Sequence, residues 1–222
     1  MTLKKVKNTK ALIGALTEEL PPVRPLLPPA KRTALWGGIF LAAMLLTAML
    51  IKGFRADLAT VLGSPSFLAE TALLLLSGML CLYAGFKLSV PDIRYGKLPF
   101  AAVWAVILLA LAVNIAFFLL AQPQHLSGEF EKFGLLHPCG VNLMLLTALP
   151  AAAVFFLVKK SAPVLPLWTG YAVLLAVAAF GAAVMRLVCG ADGITHLLVW
   201  HFLPAFGLSF LGLLAGLTLL RW

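Results

Sequence analysis

Cys139 and Cys189 lie far apart in the sequence, yet each stands at one end of an apolar run. Cys139 opens its run within His137-Pro-Cys-Gly140, and Cys189 directly follows the last residue of another. If both ends lie at one level, the sulfurs can form a disulfide, which requires Cα atoms within about 4.4 to 6.8 Å. A static disulfide, a switchable pair and two separate thiols are all open interpretations. Cys139, at a helix N-terminus, is expected to be the more reactive sulfur because the helix dipole favours a thiolate.

Two histidines, His137 and His196, flank these cysteines and offer a second chemistry. Two thiolates with two imidazoles form a ligand set that zinc accepts, although the spacing here matches no zinc-finger pattern. A disulfide would use the same sulfurs, so bridging and metal binding compete. We expect no cofactor, with a metal at Cys139, Cys189, His137 and His196 as the alternative. His201 is expected to point away from His196, since five positions separate them on one predicted helix.

Polar side chains inside apolar runs are costly in a membrane and therefore indicate functional positions. Five of them fall in the halves of their runs that share a level with the cysteines, and they predict a shallow polar pocket on that side: Glu70, Asn114, Asn142, Arg186 and His201. Glu70 and Arg186 carry opposite charges and are expected to form an ion pair. The alternative is that each side chain bonds to a neighbouring helix end or extends toward water.

The elements that must position these residues are apolar helices. Hydrophobic residues make up 62% of the chain and charged residues 11%, whereas soluble domains carry about 25% charged residues. We therefore expect an all-α integral membrane protein, a bundle of six transmembrane helices in residues 34–222. Runs of roughly 20 apolar residues, the length a span requires, occur at about 34–51, 67–90, 98–121, 141–158, 164–188 and 197–220. Gly212 and Gly216 in the last run predict close helix packing inside the bundle, with a dimer face as the alternative.

The distribution of Lys and Arg predicts how the bundle is oriented. An even number of spans places both termini on one side. Of the 17 basic residues, 13 fall in the N-terminal segment, the C-terminus and the loops on that same side, and 4 fall on the other. Because cytoplasmic loops are enriched in Lys and Arg, both termini are expected to be cytoplasmic and the two cysteines to face outward.

Residues 1–33 are the only long segment that is polar enough for water. A short amphipathic helix is predicted from Thr9 to Leu20, where Pro21 and Pro22 end it. Its apolar residues share one face: Leu12, Ile13, Leu16 and Leu20. An isolated helix of this length is marginal in water, so it is expected to fold against a partner protein or the lipid surface, to which four nearby lysines add attraction.

Motifs of common enzyme classes are absent. The sequence contains no glycine-rich phosphate loop, no nucleophile elbow and no HExxH pair. We therefore expect the protein not to be an enzyme. The alternative is a membrane enzyme or transporter that uses the outward-facing polar pocket for a small ligand or redox carrier.

Four stretches spread along nearly the whole chain form a distributed pattern: Leu12-Ile-Gly-Ala-Leu-Thr-Glu-Glu-Leu-Pro-Pro-Val-Arg-Pro-Leu26, Phe54-Arg-Ala-Asp-Leu-Ala with Pro65-Ser-Phe-Leu-Ala-Glu70, Lys87-Leu-Ser-Val-Pro91, and Cys189 to His201. These stretches resemble the NrsF-like family, six-span inner-membrane anti-sigma factors that hold an extracytoplasmic-function sigma factor inactive.

The resemblance implies a role for each end of the chain. It implies that the N-terminal segment binds the sigma factor through Leu12, Ile13, Leu16, Leu20, Val23, Arg24 and Leu26. It also implies that Cys139 and Cys189 take part in sensing a periplasmic redox or metal stress. The partners are then an extracytoplasmic-function sigma factor and the lipid bilayer, without direct nucleic-acid binding, and the location is the bacterial inner membrane.

Overall fold

A computed structural model describes residues 9–18, 25–90 and 138–221, with isolated positions between 105 and 120. Every regular element in these residues is helical. In chain order they are α1 (Thr9–Thr17), α2 (Pro29–Ile51), α3 (Leu58–Val61), α4 (Pro65–Leu88), α5 (Pro138–Lys159), α6 (Pro166–Val188), α7 (Ile194–Leu197), a π-helical turn (Leu198–Phe202) and α8 (Leu203–Leu219).

Five helices are long and apolar enough to cross a membrane: α2, α4, α5, α6 and the continuous stretch Leu198–Leu219. They contain 22 to 24 residues, and at about 1.5 Å per residue each matches the roughly 30 Å hydrocarbon core of a bilayer. This confirms the predicted membrane-type helical architecture for five of the six runs. The predicted third span, 98–121, lies almost entirely outside the described residues.

Helix α6 forms the centre of the described bundle, because 83% of an apolar stretch of 18 residues within it is buried. Small residues allow its neighbours to come close. A Cβ atom on Gly78 or Gly85 of α4 would collide with Phe180 or Val173 of α6. The Phe180 and Val173 side chains thus fill the space that these two glycines leave on α4.

The contact between α6 and α8 is closer still. A Cβ atom on Gly170 would meet the carbonyl oxygen of Gly212 and the backbone of Gly216. The two glycines of α8 therefore pack inside the bundle, as the sequence predicts, against a third glycine on α6.

The long described helices run in two opposite directions: α2 and α6 run one way, and α4, α5 and α8 run the other. At one end, Arg32 near the start of α2 lies over the ring of Phe86, near the end of α4, with its guanidinium carbon 4.4 Å from the ring centroid. The same guanidinium donates a 3.3 Å hydrogen bond to the carbonyl of Leu157, near the end of α5. We call this the Arg32 end and the opposite one the cysteine end, where Cys139 and Cys189 lie.

The chain between α2 and α4 turns at the cysteine end. Gly53 adopts a positive φ of 76°, which glycine tolerates without steric cost, and its N–H and that of Lys52 both bond to the carbonyl of Ala48. Between Phe54 and Leu62, only α3 is helical. The earlier residues are not helical because the Arg55 backbone N–H bonds across to the Leu187 carbonyl at 3.0 Å.

Candidate functional site

Four buried side chains converge at the cysteine end, and we call them the thiol–imidazole cluster: Cys139, Cys189, His196 and His201. The two sulfurs lie 3.4 Å apart, and the Cys189 sulfur lies 3.3 Å from Nε2 of His196. One nitrogen or sulfur atom from each of the four residues lies within 4.8 Å of the others. Thiols and imidazoles in this arrangement can exchange protons, form a disulfide or hold a metal ion.

Four different structural elements supply these side chains. Cys139 is the second residue of α5, and Cys189 directly follows α6, where its N–H bonds to the Met185 carbonyl at 2.8 Å. His196 lies in α7 and His201 in the π-helical turn. The cluster therefore joins the start of α5, the end of α6 and the beginning of the last long helix.

The expectation that His196 and His201 point apart is wrong. Their ring centroids lie 5.5 Å apart in an edge-to-face arrangement. The reason is the π-helical turn, in which the Leu203 N–H bonds to the Leu198 carbonyl. Hydrogen bonds of this i to i+5 type widen the turn, so residues five positions apart come to the same face.

Cys139 and Cys189 are both thiols in this structure, because a sulfur separation of 3.4 Å exceeds the disulfide bond length of about 2.05 Å. The pKa of Cys189 is lowered, chiefly by the hydrogen bond with Cys139, with burial opposing and His201 adding to the effect. The expectation from helix dipoles placed the more reactive sulfur at Cys139. The hydrogen bonds around Cys189 favour a thiolate there despite its place at a helix C-terminus, and the greater reactivity of Cys139 stays a prediction.

His201 is the most enclosed member of the cluster, with 1% of its surface exposed. Neither of its ring nitrogens makes a hydrogen bond of ordinary geometry with the described part of the chain. Buried polar atoms in native proteins nearly always have a partner. The site thus contains a buried imidazole that has no well-aligned hydrogen bond among the described residues.

Beside the cluster lies an ion-pair network: Arg55, Asp57, Glu70, Arg186 and Asp192. The guanidinium group of Arg55 donates two hydrogen bonds to each of two carboxylates. Its nitrogens lie 2.6 and 2.8 Å from the carboxylate oxygens of Asp57, and 2.9 and 2.7 Å from those of Asp192. These paired hydrogen bonds to arginine lower the pKa of Asp57 and of Asp192. Two-pronged arginine–carboxylate pairs fix geometry as well as charge.

Arg186 holds the inner part of the network. Its Nε lies 2.6 Å from Oε1 of Glu70 without the alignment of a hydrogen bond, while its Nη2 donates to Oε2 at 3.2 Å. A third contact of 2.8 Å joins Arg186 to Asp192. The ring of Phe67 lies 5.9 Å from the guanidinium carbon of Arg55 and 5.1 Å from that of Arg186. Glu70 and Arg186 thus form a buried ion pair.

The network also fixes the position of Cys189. Arg55 Nη1 donates to the Cys189 carbonyl oxygen at 3.2 Å, and the same guanidinium bonds to Asp192 three residues later. The chain from Cys189 to Asp192 is therefore attached at both ends to one arginine. A movement of this loop would change the thiol–imidazole cluster and the network together.

The polar residues singled out in the sequence do not all line one pocket. Glu70 and Arg186 pair with each other, and His201 belongs to the thiol–imidazole cluster. Asn142 lines a separate small, mainly apolar pocket beside Ala48 and Met185. Asn114 and His137 lie outside the described residues.

Three charged residues of this site carried no role in the sequence analysis: Arg55, Asp57 and Asp192. All three lie in short connections between apolar helices. Connections at the same end of a helical bundle lie at one level, so charged residues within them are candidates for ion pairs. The sequence therefore already indicated that these three residues belong together.

The residues proposed for sigma-factor binding lie away from this site. None of α1 is buried, and Leu12, Ile13 and Leu16 are exposed, as is Leu26 beyond it. Leu20, Val23 and Arg24 lie outside the described residues. Arg32, where the segment joins the bundle, is buried.

Comparison with known proteins identifies a family. The family described as negative regulator of sigma F, NrsF, matches residues 16–222, nearly the whole chain. No curated protein and no solved structure gives a significant match. A negative regulator of a sigma factor has a sigma factor as its partner, and this is not a family of known enzymes. The chain belongs to the NrsF family of negative regulators of sigma F.

Proposed function

We propose that this protein is a membrane-bound anti-sigma factor. It sequesters an extracytoplasmic-function sigma factor through Leu12 to Leu26 and releases it when a redox or metal stress changes the chemistry at Cys139 and Cys189. Family membership supports the negative regulation of a sigma factor. Five apolar helices of membrane-spanning length support the anchoring in a bilayer.

The observation that carries the sigma-binding role is the unpacked apolar face of α1. On this face, Leu16 is 64% exposed, and Leu12 and Ile13 are exposed as well. No residue of α1 is buried. An amphipathic helix with free i, i+1, i+4 anchors is suited to a hydrophobic groove on a partner protein, and the prolines that follow limit the conformations the segment must give up on binding.

The charges at the two ends favour a cytoplasmic Arg32 end. Basic residues at that end include Lys31, Lys87, Lys159 and Lys160, in or next to the terminal turns of α2, α4 and α5. At the cysteine end, Arg55 and Arg186 are neutralised by carboxylates. The positive-inside rule then directs the N-terminal segment into the cytoplasm and the cysteines into the oxidising periplasm of a bacterial inner membrane.

Helix α2 is the physical link between the two ends. The N-terminal segment enters it at Pro29, and Arg32 in its first turn bonds to α5 and stacks on α4. Just beyond its last turn, Arg55 bonds to the Cys189 carbonyl. A change of loop position at the thiol–imidazole cluster therefore acts on the same helix that presents the sigma-binding segment.

The alternative of a membrane enzyme or transporter receives less support. Its polar pocket required Glu70 and Arg186 to face a ligand, whereas these two side chains are buried against each other. Their charges are satisfied without a substrate.

The test is the variant with both Leu16→Asp and Leu20→Asp. Two carboxylates on the apolar face should abolish docking, because burying an unpaired charge in a groove is strongly unfavourable. Transcription from a promoter that depends on the sigma factor should rise to the level of a strain that lacks the regulator. The measurement is a reporter assay in cells, with equal membrane levels of each variant checked by immunoblot.

A matched control is Ala11→Asp, which adds a carboxylate to the opposite side of α1, where residue 11 is exposed. This variant should still repress. Full repression by the Leu16→Asp, Leu20→Asp variant would show that the apolar face of α1 does not bind the sigma factor.

A further inference from the structure

The thiol–imidazole cluster has the dimensions of a site for one ion. Around a tetrahedral ion with bonds of about 2.3 Å to sulfur and 2.0 to 2.1 Å to nitrogen, neighbouring ligand atoms are separated by about 3.3 to 3.8 Å. The sulfurs of Cys139 and Cys189 lie 3.4 Å apart, and the Cys189 sulfur lies 3.3 Å from Nε2 of His196. With all four ligand atoms within 4.8 Å of one another, only small side-chain rotations separate this arrangement from a tetrahedron.

His201 provides an independent observation. Its two ring nitrogens are buried, and neither makes a hydrogen bond of ordinary geometry with the described residues. A buried ring nitrogen without a partner costs free energy unless another group binds to it. The π-helical turn brings this imidazole beside His196, and such turns often occur at functional sites. A metal ion would supply the missing partner for one ring nitrogen.

We infer that Cys139, Cys189, His196 and His201 form a closed tetrahedral site for one divalent cation of the zinc type. Two thiolates, two imidazoles and tetrahedral geometry are the ligand set of such d10 ions. Binding converts two thiols and one aqueous dication into a neutral centre, and the two thiol protons pass to solvent. Charge balance therefore permits the ion to remain buried without a further counter-ion.

The inference names the input of the regulator, and in that respect it rests on the proposed function. A bound ion would tie the start of α5 to the end of α6 and to the last long helix. It would also fix the Cys189 carbonyl, to which Arg55 is bonded. Occupancy at the cysteine end would in this way determine the position of the loop that contacts the end of α2.

The test uses the full chain in detergent, with its thiols reduced and its metal removed by a chelator. Zn²⁺ is titrated in competition with a chromophoric chelator, and Co²⁺ serves as a spectroscopic probe. One equivalent of Zn²⁺ should bind, raising the melting temperature by mass action and protecting Cys139 and Cys189 from alkylation. Co²⁺ should give thiolate-to-cobalt charge transfer and the intense visible bands of a tetrahedral centre.

Two variants and one control complete the design. His201→Gln and Cys139→Ser should each weaken Zn²⁺ binding by more than the roughly 10- to 100-fold that changes outside the ligand shell cost. Cys81→Ala should bind normally, because Cys81 lies in α4, distant in sequence from the cluster and not a member of it.

Absence of binding tighter than millimolar in the unaltered chain would overturn the inference, as would unchanged Zn²⁺ affinity and cobalt spectrum in His201→Gln. The alkylation and melting measurements on the unaltered chain do not depend on how well any variant folds. No sigma factor is present in these experiments. A negative result therefore leaves the sigma-binding role intact, and failure of the reporter assay leaves the metal site intact.

Discussion

The contact between Glu70 and Arg186 shows how much depends on single side chains at the cysteine end. Both residues are buried, and each would be a strongly unfavourable charge in this environment without the other. Arg186 has a second partner in Asp192, whose side chain is 41% exposed and therefore compensates less. Glu70, by contrast, has Arg186 as its ion-pair partner among the described residues.

Glu70→Ala is expected to lower the free energy of unfolding by about 3 kcal/mol, near the lower bound for breaking a buried pair, because Asp192 still compensates part of the Arg186 charge. Chemical denaturation in mixed micelles measures this loss. The control Glu18→Ala removes an exposed carboxylate and should change stability by no more than about 0.5 kcal/mol. Replacing the pair together, Glu70→Leu with Arg186→Met, should recover part of the loss. An equal effect of the Glu70 and Glu18 changes would contradict the assignment of a buried pair.

Among the described helices, α6 and α8 make the closest backbone contact. The glycines of α8 were recognisable from their four-residue spacing, but their partner, Gly170, was not, because a spacing motif describes one surface only. A Cβ atom on Gly170 would meet backbone atoms of Gly212 and Gly216, and backbone cannot rotate away as a side chain can. The helices would have to separate.

Gly170→Ala should therefore destabilise the bundle, by about 1 to 3 kcal/mol as for other overpacked cores. Gly207→Ala is the matched control, since Gly207 belongs to α8 and a Cβ atom there meets no atom within 4 Å. That change should be neutral or stabilising, because alanine favours helix over glycine. The comparison is made by thermal unfolding of both purified variants. Equal melting temperatures would mean that the glycine contact does not limit the approach of α6 and α8.

The π-helical turn shows where sequence reasoning failed at the level of elements. Apolar runs predicted a continuous last helix, and the positions of His196 and His201 were derived from regular α-helical geometry. Pro204, at the start of α8, was the available signal: proline has no N–H to bond to the carbonyl four residues earlier, at Trp200. A local break in the hydrogen-bond ladder was therefore predictable, but its i to i+5 form and the resulting meeting of the two imidazoles were not.

At the scale of the whole molecule, composition and run length were sufficient to predict five long apolar helices, because a span requires a minimum length of apolar chain. They also placed Cys139 and Cys189 at one level. The same reasoning placed Arg55, Asp57 and Asp192 at one level but could not show which of them pair. The pairing of Arg55 with Asp192 depends on how the chain before α3 and the loop after α6 meet in space, and no sequence period encodes that meeting.

The molecule thus has two differently built ends. At the cysteine end, buried thiols, imidazoles and ion pairs are tightly interconnected, and at the Arg32 end an exposed amphipathic helix is attached through a short proline-containing segment. Helices of 22 to 24 residues separate the two ends, a distance of about 33 to 36 Å at 1.5 Å per residue. This division agrees with a regulator whose input and output lie on opposite sides of a membrane.

The most direct test of the sigma-binding account is affinity purification of the full chain, tagged after Trp222, from detergent-solubilised native membranes, with mass spectrometry of the proteins retained. An extracytoplasmic-function sigma factor should be recovered in near-equimolar amount with the unaltered chain and with Ala11→Asp. It should be lost from the Leu16→Asp, Leu20→Asp variant, because that variant lacks the apolar face while its bundle is unchanged. Recovery of no sigma factor with the unaltered chain, or of equal amounts with all three proteins, would contradict the account.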